Sequence, residues 1–254
     1  MYNPFNITKL NFMNKLSIPI AIIVAGVIIA GAVIITKNAD NVKPEVVNNE
    51  KPQLELTPIT EKDHIQGNPN ADIIIVEYSD FQCPYCTRFH GTMKRIMDDY
   101  GNSGKVAWVF RHFPIKNHPK AMPAAIASEC VATLAGEDKF WDFSDQVFAN
   151  QKENLEPEKM KEIAISLGAD EKKYDACISE NKSKERVNKD YEDGLKIAKV
   201  DPNFGTPYNI LIPKNGQMFP LGGAVPYSTV KQIIGEILKE PVDTTATSSN
   251  QVSE

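Results

Sequence analysis

Cys83-Pro84-Tyr85-Cys86 stands between two runs of different period. Before it, Ile73-Ile74-Ile75-Val76-Glu77-Tyr78 is apolar and β-branched and reads as a buried strand. After it, Thr87 to Tyr100 places Phe89, Met93, Ile96 and Met97 at helical spacing. Two cysteines two residues apart at a strand-to-helix junction are the setting in which a cysteine pair does redox chemistry. The junction therefore constrains both the fold and the function that can be built around it.

The thiolate, not the thiol, attacks a disulfide. Cys83 falls where the helix begins, and the unpaired N–H groups and dipole at that end favour a negative charge. Its pKa is expected below that of a free thiol. Pro84 suits the first helical turn, where its missing N–H costs nothing. Cys86 lies one turn on, facing inward, and is placed to resolve a mixed disulfide on Cys83. Two other readings compete. CxxC is also half of a zinc site, but no second CxxC is present and His90 matches no common finger spacing. A purely structural disulfide is the other, disfavoured by the proline and the helix-start position. Glu77, an acid inside an apolar strand, reads as a proton acceptor for Cys86 with a raised pKa, or else as an acid at an exposed strand end.

Compartment decides what cysteines mean. Ile18 to Ile35 is almost wholly apolar, broken by Pro19, Gly26 and Gly31. At about 1.5 Å per residue it spans a hydrocarbon core of about 30 Å. Lys9 and Lys15 precede it, which favours a cytoplasmic N-terminal end. The run is longer than the apolar core of a cleaved signal peptide, about 7–15 residues, so an uncleaved anchor is the preferred reading. Either way the remaining chain lies outside the cytoplasm. There Cys130 and Cys177 are read as a bridge worth up to about 4 kcal/mol, the alternative being two buried free thiols. The net charge of −5 gives no support for nucleic-acid binding.

The chain divides into a tip and transmembrane anchor (1–37), a polar Pro-containing linker (38–60), a globular domain (61–240) and a Thr/Ser-rich tail (241–254) expected to be disordered. Leu54-Glu55-Leu56 is a candidate edge strand, and Asp63 to Asn70 a turn-rich lead-in. Val106 to Phe110 is a second buried strand, which Pro114 should end. About 115–200 is a helical block. Strands resume at Tyr208-Asn209-Ile210-Leu211-Ile212, turn at Pro213-Lys214-Asn215-Gly216, and return over Gln217 to Leu221. Tyr227 to Lys239 is a closing amphipathic helix. Gly205-Thr206-Pro207 precedes the third strand, and Pro207 is either cis or an ordinary trans strand-starter.

Several stretches together make the chain resemble the DsbA-like thiol–disulfide oxidoreductases of the thioredoxin superfamily, in their membrane-anchored, extracytoplasmic bacterial branch. They are Asp63-His64 with Gly67-Asn68-Pro69, Val76 through Cys86, Phe110-Arg111-His112-Phe113-Pro114 with His118-Pro119, Ser128-Glu129-Cys130, Lys139-Phe140-Trp141, Gly205-Thr206-Pro207, and Gly223-Ala224 with Pro226-Tyr227. The resemblance implies an α/β thioredoxin fold with an inserted helical domain, preceded by one N-terminal transmembrane helix. It implies Cys83 as nucleophile and Cys86 as resolving cysteine, with Pro84, Tyr85 and Thr206 around them. Pro207 matches a cis-proline loop facing the disulfide, Glu77 the family's buried acid, and Cys130 with Cys177 an extra disulfide that several members carry. Val200 to Phe204 departs from the usual Gly-Val lead-in, and Tyr208-Asn209 replaces the usual Thr-Phe. The implied activity is disulfide introduction into exported proteins, with no cofactor beyond the cysteine pair, no metal, and a membrane quinone-linked oxidase as redox partner. A reductase or isomerase of the same fold, or a non-catalytic anchored binding module, are the alternatives.

Overall fold

The computed structural model describes residues 54–181 and 183–239. The expected anchor at Ile18 to Ile35, most of the linker and the tail lie outside the described residues. Among the described residues no helix is long and apolar enough to cross a membrane.

Strand β2 (Ile73–Ser79) is the middle of a five-stranded sheet. On one side it pairs in parallel with β3 (Val106–His112), Ile73 opposite Val106 and Ser79 opposite His112. On the other it pairs antiparallel with β4 (Tyr208–Pro213). The edges are β1 (His64–Gln66), antiparallel to β3, and β5 (Phe219–Gly222), antiparallel to β4. β2 and β3 are apolar at successive positions because both faces of the sheet are covered. Alternation sends Ile73 and Ile75 into one core with Trp108 and Phe110, and Val76 and Tyr78 into a second with Val109, Tyr208 and Ile210. Glu77 shares its face with Ile73 and Ile75, so it points into the larger core.

Helix α1 (Pro84–Ile96) follows β2 and buries Cys86, Phe89, His90, Met93 and Ile96 against that larger core. It ends in a wider turn over Met97–Gly101. The closing helix α8 (Tyr227–Ile237) seals the same face with Val230 and Ile234. Between β3 and β4 lie α2 (Ala121–Ala135), α3 (Glu137–Ala149), α4 (Gln151–Asn154), α5 (Pro157–Ser166), α6 (Glu171–Glu180) and α7 (Lys184–Val200). Small side chains let α2 pack closely, with Ala124, Ala125, Ala127 and Cys130 buried. Pro157 opens α5, and Asp170 caps α6 by accepting from the Lys173 N–H at 3.0 Å. Cys130 of α2 and Cys177 of α6 are bonded, 47 positions apart in sequence.

Two expectations are corrected. Leu54-Glu55-Leu56 is not a strand. Its neighbours are held by side chains instead of a ladder: Arg111 donates to the Thr57 and Pro58 carbonyls, and the Thr57 N–H donates to Asp193. The strand lies further on, at His64–Gln66, inside the stretch expected to be turn-rich. The returning strand is Phe219–Gly222, so Gln217 and Met218 lie before it and Gly222 belongs to the ladder.

Candidate active site

Cys83 is the residue immediately before α1, in extended conformation, and its N–H donates to the Asp80 carbonyl at 3.1 Å. Pro84 is the first helical residue. The Cys83 thiol donates to the Thr206 carbonyl at 3.4 Å, and the Thr206–Pro207 peptide bond is cis. The loop before β4 therefore lies directly against the pair, 123 positions away in sequence. Cys86 is fully buried one turn on, and its sulfur accepts from the Asp80 N–H at 3.4 Å. Both thiols are free. Tyr85 is 53% exposed beside them, with the Arg88 guanidinium 4.5 Å from its ring centre.

The two sulfurs are set apart electrostatically. Cys83 is brought down to about 5, first by the hydrogen bond from Cys86, against the opposing cost of burial, and further by the Thr206 side chain and the N–H groups of Cys86 and Tyr85. Cys86 is pushed well above the ordinary thiol range, first by burial, then by its bond to Cys83 and the charge of Glu77. One sulfur is a ready thiolate and the other a held thiol. Glu77 is fully buried and is raised by burial to about 7, although Trp108 Nε1 donates to its Oε2 at 3.0 Å. Its other oxygen, Oε1, has no hydrogen-bond partner among the described residues. An acid with a pKa near neutrality, close enough to influence the Cys86 charge, is suited to exchange a proton there.

Asp80, Gln82, His118 and Gln151 also build the site, although the sequence reading gave them no role. Buried Asp80 accepts from the Gln82 N–H at 2.6 Å and the Ile115 N–H at 2.8 Å, and pairs with His118 Nδ1 at 2.8 Å. Gln82 in turn accepts from the Lys120 N–H at 2.7 Å. Gln151 reaches back to the carbonyls of Phe81 and Cys83 at 2.7 and 3.0 Å. Asp80 carried a readable signal, since an Asp two residues before a loop N–H forms an Asx turn. Gln151 carried none, being 68 positions from Cys83.

Among the described residues one cluster has the chemistry of metal ligands: His64, His112 and Glu129. Both histidine Nε2 atoms lie 2.9 Å from Glu129 Oε1, and His64 Nδ1 lies 2.9 Å from Glu137. The Arg186 guanidinium is 3.7 Å from Glu129. Burial acts to lower the His64 pKa, but Glu129 and Glu137 outweigh it and hold the pKa near 9. Glu129 therefore faces two imidazoles and a guanidinium, while His112 Nδ1 and Arg186 Nε and Nη2 have no hydrogen-bond partner among the described residues.

A cysteine pair at a strand-to-helix junction, a cis-proline loop set against it, and a helical block between β3 and β4 define a thioredoxin-superfamily protein of DsbA-like fold. The chain belongs to the thioredoxin family, whose sequence pattern matches residues 59–210. BdbD from Bacillus subtilis, in its oxidised crystal structure, superposes with a TM-score of 0.62 at 22% identity over 74% of this chain and 98% of that one. Wolbachia pipientis alpha-DsbA1 gives 0.61 at 22% identity over 72% and 93%. Pseudomonas aeruginosa DsbA2 gives 0.57 at 23% identity over 74% and 100%. In sequence, the chain is 37% identical over 142 residues to the Na(+)/H(+) antiporter NhaA 1 of Mycolicibacterium gilvum, covering 54% of this chain. It spans only 22% of that antiporter's length.

Proposed function

We propose that the protein is an extracytoplasmic thiol–disulfide oxidoreductase that introduces disulfides into exported proteins. The observation that carries this reading is Cys83 at a helix start, one turn before the buried Cys86, with its pKa brought down to about 5. A group that stabilises the thiolate stabilises the reduced pair, and a stabilised reduced form makes the corresponding disulfide oxidising. In the oxidised enzyme a substrate thiolate attacks Cys83 Sγ. The Cys83–Cys86 bond breaks, a substrate–Cys83 bond forms, and Cys86 leaves as a thiolate that takes up a proton, with Glu77 as the nearby carrier. A second substrate thiolate then attacks the substrate sulfur of the mixed disulfide and displaces Cys83 as a thiolate. Two electrons have moved from the substrate thiols to the enzyme pair. Pro207 shapes the loop that faces the mixed disulfide, and Thr206, Pro84 and Tyr85 line its rim.

Reoxidation requires a partner that accepts those two electrons, and a membrane quinone-linked oxidase fits an enzyme anchored through Ile18 to Ile35. A reductase or isomerase of the same fold differs only in potential and partner. Equilibration of the Cys83–Cys86 pair with glutathione redox buffer tests the direction. The oxidase reading requires a potential well above that of a cytosolic reductant, about −270 mV for thioredoxin, and a value as low as that would sink it.

A further inference from the structure

Gln151 is the first residue of α4, a four-residue helix inside the helical insertion. Its Nε2 donates to two backbone carbonyls of the redox loop, Phe81 at 2.7 Å and Cys83 at 3.0 Å. Both partners are acceptors, so only the NH2 face of the amide satisfies them. These carbonyls flank Gln82, directly before the reactive helix. The Cys83 carbonyl also accepts the first helical N–H, from Thr87, at a long 3.3 Å. The Gln151 amide therefore gives the carbonyl at the helix start a second donor. The neighbouring Phe148 ring stacks on Phe81, 5.1 Å between centres, so the end of α3 and α4 hold one side of the loop together. Asp80 holds the other side through Gln82, Ile115 and His118.

We propose that Gln151 is a positioning residue through which the helical insertion sets the geometry of the Cys83 loop, and thereby its reactivity. This rests on the reading of Cys83 as the reacting thiol. Two effects act in the same direction. The amide keeps the loop in the conformation that aims the Tyr85 and Cys86 N–H groups at Cys83 Sγ. It also offsets the negative ends of two carbonyl dipoles close to the site where the thiolate forms, an arrangement that costs little reorganisation because the donor is already in place. Removing the amide should therefore disfavour the thiolate without touching either sulfur.

The test is the pH dependence of Cys83 alkylation by iodoacetamide in the reduced full-length protein, with the modified peptide identified by mass. Gln151→Ala is expected to raise the midpoint by about one pH unit, a roughly tenfold loss of reactivity at a pH below both midpoints. Gln151→Glu keeps the shape and supplies the sharper readout. Its carboxylate faces the two carbonyls with no donor, so the Cys83 midpoint should lie above that of Gln151→Ala. The excess shift should fall away where the carboxyl is protonated and regains one O–H donor, so the reactivity profile departs from a single titration. A merely structural contact would not produce that departure. Circular dichroism matching the wild type shows that the variants fold. If folded Gln151→Ala and Gln151→Glu both titrate as the wild type does, the proposal is overturned. If the wild type fails to oxidise a reduced protein while the variants still shift the Cys83 titration, the functional reading falls and the positioning role stands.

Discussion

The molecule holds two cysteine pairs, and almost everything about them is opposite. Cys130 and Cys177 lie 47 positions apart, on α2 and α6, and are bonded. Cys83 and Cys86 lie two residues apart on one helix start and are free. Around the first pair the surroundings are helix packing. Around the second, a cis-proline loop, a buried acid with an oxygen unpartnered among the described residues, and the backbone ties of Asp80 and Gln151 converge on the two sulfurs. The difference teaches what separates a brace from a reagent. A brace needs only two positions that the fold brings together. A reagent needs its two sulfurs held in unequal environments, so that one is a thiolate while the other keeps its proton.

If that contrast is right, Cys83→Ala is the largest perturbation. Oxidative refolding of a reduced test protein should be abolished, with the thermal stability of the domain little changed. A variant that kept full activity would remove Cys83 from the chemistry. Replacing Cys130 and Cys177 together with Ala should do the reverse. Loss of a cross-link of that span costs about 4 kcal/mol in the chain-entropy model, read by urea unfolding, while disulfide transfer at moderate temperature continues. Loss of transfer by the folded double variant would dissolve the division between brace and reagent.

Glu77 sharpens the contrast from within the redox site. Its carboxyl binds a proton more tightly in the folded state, near 7, than the ordinary value of 4.5. Its contribution to stability is therefore full below about pH 4.5 and is lost as pH rises through 7. Glu77→Gln removes that loss and should be more stable than the wild type above pH 7, by up to about 3 kcal/mol. The same change should slow release of Cys86 by roughly 10²-fold if Glu77 carries its proton. Urea melts and stopped-flow reduction at matched pH separate the two effects. Cys86→Ala leaves the nucleophile present but abolishes disulfide transfer, because no Cys83–Cys86 bond can form. With the largest stabilising contact gone, the Cys83 titration should move up toward that of an ordinary thiol while mixed disulfides accumulate.

Much of this was legible in the chain because it depends on local period. The run Ile73 to Tyr78, the helix after Cys86 and the alanine-rich α2 declare themselves within their own windows, and Pro157 and Asp170 mark helix starts by their chemistry. The Pro207 loop was visible as a turn before a strand; the residues themselves left its isomer open, and the family resemblance pointed to cis. The misses are of another kind. Leu54-Glu55-Leu56 looks like a strand, yet Arg111 and Asp193, distant in sequence, hold the adjoining backbone. His64–Gln66 looks like a turn, yet it completes a sheet edge whose partner, Trp108 to Phe110, is more than forty positions on. Gln151 is polar in a polar stretch, and only the folded chain brings its amide to the carbonyls of Phe81 and Cys83.

The central claim is that the helix start and its surroundings turn Cys83, and not Cys86, into the reactive thiolate. The pH dependence of alkylation in the reduced wild-type protein, read peptide by peptide, tests it most directly. Cys83 should be modified with a midpoint near pH 5, and Cys86 should stay unmodified through neutral pH. A Cys83 midpoint at the ordinary thiol value near 9, or Cys86 reacting first, would contradict the account.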